Sequence, residues 1–250
     1  MSIGQAMWVK SGTTARGALA RRATAAVGAV LALTLLAAAA ASAALGLSPA
    51  YVAKTGAAFL AAGTLVVANL DAHPFDRFGA ANGVTLVRAA LAALLAGLVG
   101  EGADPPLAAF AAAAGGIAVA LDFVDGRLAR ASGLASAFGA RFDMETDAAL
   151  VLVLSILAWQ TGRAGAWVLA AGALRYVFVA AGVLLPWMRR PLPPSARRQT
   201  AAATQMVALV AALAVDPPVS GALAAAALAL LGASFAIDTA WLARRRGAPS

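Results

Sequence analysis

The residues able to do chemistry crowd into one stretch. From Asp122 to Asp147 the chain reads DFVDGRLARASGLASAFGARFDMETD, with aspartates at i, i+3, i+21 and i+25 beside long apolar runs. A carboxylate placed near hydrocarbon costs about 2.5–3.5 kcal/mol, so four together cost on the order of 10 kcal/mol unless compensated. Something cationic must sit among them. Asp122 and Asp125 share a helix face at the end of one apolar run, and Asp143 and Asp147 share a face at the start of the next. If those two ends pack as a hairpin, the four carboxylates converge on a site suited to hard divalent cations with oxygen ligands, and two ions can be accommodated.

The neighbours suit a phosphorylated ligand. Gly126 and Ala129 follow Asp125 on the next turn, and Gly139 lies one turn before Asp143. Small residues there let a ligand approach the backbone closely. Arg130 supplies a forked donor that matches phosphate oxygens. Acids for metal, an arginine for phosphate and small residues for clearance describe a metal-pyrophosphate site. Glu145 falls between two of the acids but on another face and reads as solvated or salt-bridged; His73 reads as a loop residue. A noncatalytic alternative pairs the acids with Arg127, Arg130 and Arg141.

The elements that carry these residues must be membrane helices. Of the 250 residues, 62% are hydrophobic and only 12% charged, and the mean hydropathy is +0.83, beyond the range of soluble domains. Apolar runs long enough to cross a hydrocarbon core recur at 24–46, 52–70, 84–100, 106–124, 144–160, 164–187, 199–215 and 219–243. They are rich in alanine and leucine and show no ten-residue alternation, so the expected fold class is all-α, a polytopic helix bundle and not a barrel. With no cysteine, disulfides and thiolate metal sites are excluded, and a metal must be held by oxygen or by His73.

The net charge of +8 follows topology and does not call for nucleic acid. If the spans alternate, sixteen of the 19 basic residues fall on one side, Arg88 among them, while Lys54 and Arg163 fall opposite and Arg175 lies within a span. The positive-inside rule then places both termini and the aspartates on the cytoplasmic side of the inner membrane. Near the N-terminus, Ala41-Ser42-Ala43 resembles a signal-peptide cleavage site, but the apolar run before it is long for a signal peptide, and a retained helix is expected. Gly46-Leu47-Ser48-Pro49, Asp104-Pro105-Pro106, Thr161-Gly162-Arg163 and Asp216-Pro217-Pro218 mark tight turns. Longer connections run from Asp71 to Asn82 and from Trp187 to Arg198.

The spacing Asp122-x2-Asp125-Gly126-x2-Ala129-Arg130-x8-Gly139-x3-Asp143-x3-Asp147 resembles, without a gap, the signature of the CDP-alcohol phosphatidyltransferase family. The resemblance implies a six-helix catalytic core over 82–250, with 1–81 holding two extra transmembrane helices and an interfacial linker. It implies transfer of a phosphatidyl or related group from a CDP-linked donor such as CDP-diacylglycerol to an alcohol, with release of CMP. On this resemblance Asp122, Asp125, Asp143 and Asp147 hold two Mg2+ or Mn2+ ions, and Asp147 is the general base. Gly126, Arg130, Ser136 and the stretch Asn82-Gly83-Val84-Thr85 match positions that contact CDP, with Ala129 and Gly139 in the same signature. A homodimer is also implied.

For the acceptor, Arg175 within a span and Arg197 and Arg198 at the start of another are the candidate contacts. The stretch Arg197 to Leu209 is loosely similar to part of bacterial phosphatidylglycerophosphate synthases, although arginines stand where lysines are usual. Glycerol 3-phosphate is therefore the expected acceptor, with inositol, inositol phosphate, serine and phosphatidylglycerol as alternatives. Asp238, inside the last span, is a possible partner for Arg175. The rival class is a cation transporter or noncatalytic scaffold. Transport sites favour broken helices and acids near mid-membrane, whereas these acids gather at helix ends.

Overall fold

The structure is a computed structural model describing residues 3–132 and 136–246, with side chains described over 16–123 and 136–246. Among the described residues there is no strand. Eight α-helices follow in order: α1 (Ile3–Leu45), α2 (Pro49–Ala68), α3 (Ala80–Gly97), α4 (Pro105–Ser132), α5 (Ala137–Gln160), α6 (Leu169–Leu184), α7 (Ala196–Ala214) and α8 (Val219–Arg244). The all-α expectation holds, and the four expected turns separate the helices. Proline opens α2 and α4, where its missing N–H costs no intrahelical bond, and Gly46 and Gly162 take positive φ in the turns after α1 and α5.

Six of these helices are long and apolar enough to cross a membrane. The exceptions are α5 and α7, which the sequence reading counted as spans. Asp143, Glu145 and Asp147 interrupt the first half of α5, and Arg197, Arg198, Gln199 and Gln205 dilute α7. Both helices spend apolar length on polar chemistry. Leu33, Leu36, Leu60, Leu65, Val183 and Leu184 are exposed on the spanning helices, as surfaces that face lipid tails must be.

Two compact units divide the chain. The first comprises Met1–Gly97 with Ile117–Asp147. Its core joins Leu19, Ala23 and Val27 of α1 to Phe59 and Val66 of α2, to Leu86, Ala90 and Ala93 of α3, and to Phe138 of α5. Tyr51 of α2 is fully buried and donates its hydroxyl to the Leu94 carbonyl of α3 at 3.2 Å. The N-terminal helices are thus built into the unit that carries the aspartates.

The second unit comprises Leu98–Gly116 with Ala148–Ser250. Small residues set its packing: a Cβ on Gly172 of α6 would lie 2.5 Å from the Leu152 Cα of α5, so only glycine permits that approach. Arg163 bonds the Val215 carbonyl at 2.9 Å and pairs with Asp216, tying the turn after α5 to the turn before α8.

Candidate active site

Asn82, Thr85 and Arg88 lie at i, i+3 and i+6 on α3 and form a buried polar stripe in an otherwise apolar helix. The first two satisfy themselves locally. Asn82 Nδ2 donates to the Phe78 carbonyl at 2.5 Å, and the Thr85 hydroxyl donates to the Ala81 carbonyl at 3.1 Å. Arg88 cannot, because its long side chain must carry a charge into the interior.

The acids of α4 and α5 receive it. Arg88 Nε donates to the Ala118 carbonyl of α4 at 3.2 Å, and Nη1 lies 2.9 Å from Asp122 and 2.5 Å from Asp143. Nη2 pairs with Asp147. A planar fork with fixed donor directions can serve four acceptors at once, which a lysine ammonium cannot do with the same geometry. The cation that the sequence demanded among the acids is therefore Arg88. The charge pattern counts it only as a topology-setting basic residue; of the arginines in the noncatalytic alternative, Arg141 is exposed, and the side chains of Arg127 and Arg130 lie outside the described residues.

Burial gives the cluster a direction. Arg88 is fully buried, whereas the side chains of Asp122, Asp143 and Asp147 are 29%, 37% and 30% exposed. The guanidinium forms a closed floor and the carboxylates an open rim. Burial pushes the Asp143 carboxyl up from its ordinary value against the pull of Arg88, and the charge of Asp122 adds to the rise. Among the described side chains, three carboxylates face one guanidinium. One oxygen from each of the three lies within 4.8 Å of the others, so the donor set fits a hard divalent cation. The side chains of Asp125, Gly126, Ala129 and Arg130 lie outside the described residues.

The CDP-alcohol phosphatidyltransferase family model matches residues 78–236, well over half of the chain. The chain belongs to this family. No match was found among curated proteins or among solved structures. It is accordingly a membrane enzyme that transfers a substituted phosphate group from a CDP-linked alcohol. The matched residues begin just before α3 and end within α8, so they contain Arg88 and all four aspartates, while α1 and α2 lie outside them.

Other residues expected at the family's CDP site gather beside the acids. Ser136 caps α5, its Oγ accepting the Gly139 N–H at 3.0 Å. Gly139 leaves room for Asn82: a Cβ there would stand 2.7 Å from Asn82 Oδ1. Asn82, Ser136 and Gly139 thus meet where α3 and α5 begin. Glu145 is exposed and outside the carboxylate group. His73 is buried against Phe138 and is not one of the grouped acids' neighbours in a metal-ligand set.

The expected acceptor arginines lie in the second unit. Arg197 Nη2 pairs with Asp238 at 2.5 Å and Nη1 reaches the Ser234 carbonyl at 2.6 Å, while Arg198 Nη1 reaches the same Asp238 oxygen at 3.3 Å. Asp238 is therefore partnered by Arg197 and Arg198 and not by Arg175, because the first turn of α7 packs against the last turns of α8. Arg175 is half-buried in the middle of α6.

Arg88 is the residue that sequence reasoning missed. Its signal was present: an arginine six residues after Asn82, on the same face as Thr85 and inside an alanine-rich run, is too deep for a flanking anchor.

Proposed function

We propose that this enzyme transfers the phosphatidyl group of CDP-diacylglycerol to glycerol 3-phosphate and releases CMP, as a step of phospholipid synthesis. The observation that carries the reading is the convergence of Asp122, Asp143 and Asp147 on buried Arg88 in a chain of this family. Asp122, Asp125, Asp143 and Asp147 would hold two Mg2+ or Mn2+ ions. When bound, the ions supply charge neutralisation at the pyrophosphate and at the departing CMP.

In the transfer, a bond forms between the acceptor's hydroxyl oxygen and the phosphorus that carries the diacylglycerol. The bond from that phosphorus to the CMP oxygen breaks. Asp147 takes the hydroxyl proton as general base, and Arg88 holds one of its oxygens so that the carboxylate keeps a single orientation. Arg130 orients the pyrophosphate, and Gly126, Ala129 and Gly139 give it clearance. Asn82, Thr85 and Ser136 line the nucleotide side.

Charge at the start of α7 supports a phosphorylated acceptor. Two guanidinium groups share one carboxylate there, leaving a positive charge next to a helix N-terminus that already favours anions. Glycerol 3-phosphate and inositol phosphate would present a phosphate to that charge, whereas serine would present only a carboxylate and inositol no charge at all. The positive-inside pattern supports a reaction on the cytoplasmic face of the inner membrane, where the donor's acyl chains stay in the bilayer.

The test is CMP release from CDP-diacylglycerol by purified protein, with and without Mn2+ or Mg2+, across these acceptors. Metal-dependent CMP with glycerol 3-phosphate and the matching lipid supports the reading; CMP with serine or inositol alone removes the acceptor assignment.

A further inference from the structure

We propose that α1, α2 and the segment around His73 form a seat that fixes the rotation of α5 about its axis, with His73 as a positioning residue for the acids. The inference rests on the reading of those acids as the reaction centre.

Two stripes run along the first turns of α5. Phe138, Phe142 and Thr146 recur at i, i+4 and i+8, and Gly139, Asp143 and Asp147 recur at the same spacing one residue on. Neighbouring stripes on a helix differ by about 100°, so whatever holds the aromatic stripe aims the carboxylates. Phe138 is buried in, and Phe142 packs against, the core that Leu19, Ala23 and Val27 of α1 share with Phe59 and Val66 of α2 and with Leu70. The seat is therefore made largely by residues outside the family match.

His73 locks the same turn by hydrogen bonds. Its ring lies 5.2 Å from the Phe138 ring, and its Nε2 is 2.7 Å from the Arg77 carbonyl. A carbonyl only accepts, so Nε2 carries the hydrogen, and a singly protonated imidazole then has a bare Nδ1. The Ser136 hydroxyl, 3.4 Å away, donates to it, while the same Oγ accepts the Gly139 N–H at 3.0 Å. A chain of bonds thus runs from His73 through Ser136 into the turn just before Asp143. Orientation of the cap no longer depends on Ser136 alone.

Two substitutions separate the two ring nitrogens. His73→Asn places an amide oxygen near the position of Nδ1 and keeps an acceptor for Ser136; His73→Gln places an amide N–H near the position of Nε2 and keeps only the donor to Arg77. Hydrogen exchange of the 136–142 peptide in the full chain, without substrate, is measured beside kcat and the donor KM. We expect H73N to keep wild-type protection and most of kcat. H73Q should lose protection and fall by about tenfold or more in kcat, the scale of a small misplacement of reacting groups.

Equal behaviour of H73N and H73Q, whether both intact or both impaired, overturns the proposal, because the acceptor offered to Ser136 is then not what holds the turn. Faster exchange in H73Q with no CMP release by any of the proteins leaves the seat standing and removes the functional reading. Wild-type exchange in H73Q beside normal CMP release does the reverse.

Discussion

Arg88 and Asp147 stand 59 residues apart and pair across α3 and α5, the arginine fully buried and the aspartate at the open rim. That relationship joins the fold to the chemistry. The cation that makes an acid cluster tolerable beside hydrocarbon is also the group that orients the proposed base.

Arg88→Ala should destabilise the protein by about 3–5 kcal/mol, the usual cost of leaving buried charges without their partner. Added Mn2+ should raise the melting temperature of this variant more than that of wild type, since the cluster then lacks its own cation. Arg88→Lys keeps the charge but not the fork, and should retain more stability than activity. Thermal unfolding in detergent with and without Mn2+, beside kcat/KM, checks all three; equal Mn2+ shifts in Arg88→Ala and wild type would contradict the cluster's charge balance.

Asp147→Asn should lower kcat by about 10²–10⁴-fold, the range of a lost general base, with Arg88 still able to bond the amide oxygen and the fold largely kept. Asp122→Asn, which removes a metal ligand but not the base, should raise the Mn2+ concentration needed for half-maximal rate and keep more of kcat than Asp147→Asn at saturating Mn2+. A metal titration of both variants separates the roles. Substantial residual turnover in purified Asp147→Asn would remove it as the base.

Gly139→Ala puts a Cβ 2.7 Å from Asn82 Oδ1, so α5 must shift or Asn82 must give up its bond to Phe78. Overpacking of this kind costs about 1–3 kcal/mol. The donor KM should rise, and a second change, Asn82→Ala, should recover part of the stability by making room. A double-mutant cycle on melting temperature shows whether the two sites couple; strict additivity would mean that they do not touch.

Legibility in the sequence followed the range of the interaction. Helix class and turns could be read because they are local, and the aspartate signature could be read because helical period alone places Asp143 and Asp147 on one face. The partner of those acids could not, since nothing near Asp143 in the chain points to Arg88, 55 residues away. Asp238 shows the same limit. Arg175 and Arg197 were both available to it by charge, and only the packing of α7 on α8 decides for Arg197 and Arg198. His73 does lie in the connection before α3, as read, but its contacts with Ser136 and Phe138 were not legible, because the fold brings those partners to it.

Arg197→Ala removes one pair with Asp238 and leaves Arg198 to balance that carboxylate, so the net positive charge proposed to meet the acceptor's phosphate is lost. The acceptor KM should rise by about tenfold or more, in line with a lost charge-assisted hydrogen bond of about 1.5–3 kcal/mol, while the donor KM stays near wild type. Steady-state kinetics with each substrate varied in turn checks this. A rise confined to the donor KM would place Arg197 on the nucleotide side.

CMP release from CDP-diacylglycerol by purified, folded protein with Mn2+ or Mg2+, wild type beside Asp147→Asn, decides whether this site carries out the proposed transfer. Wild type should release CMP only when metal and an alcohol acceptor are both present, most with glycerol 3-phosphate, and Asp147→Asn almost none. Absence of CMP from wild type with every acceptor, or equal CMP from the two proteins, would contradict that expectation.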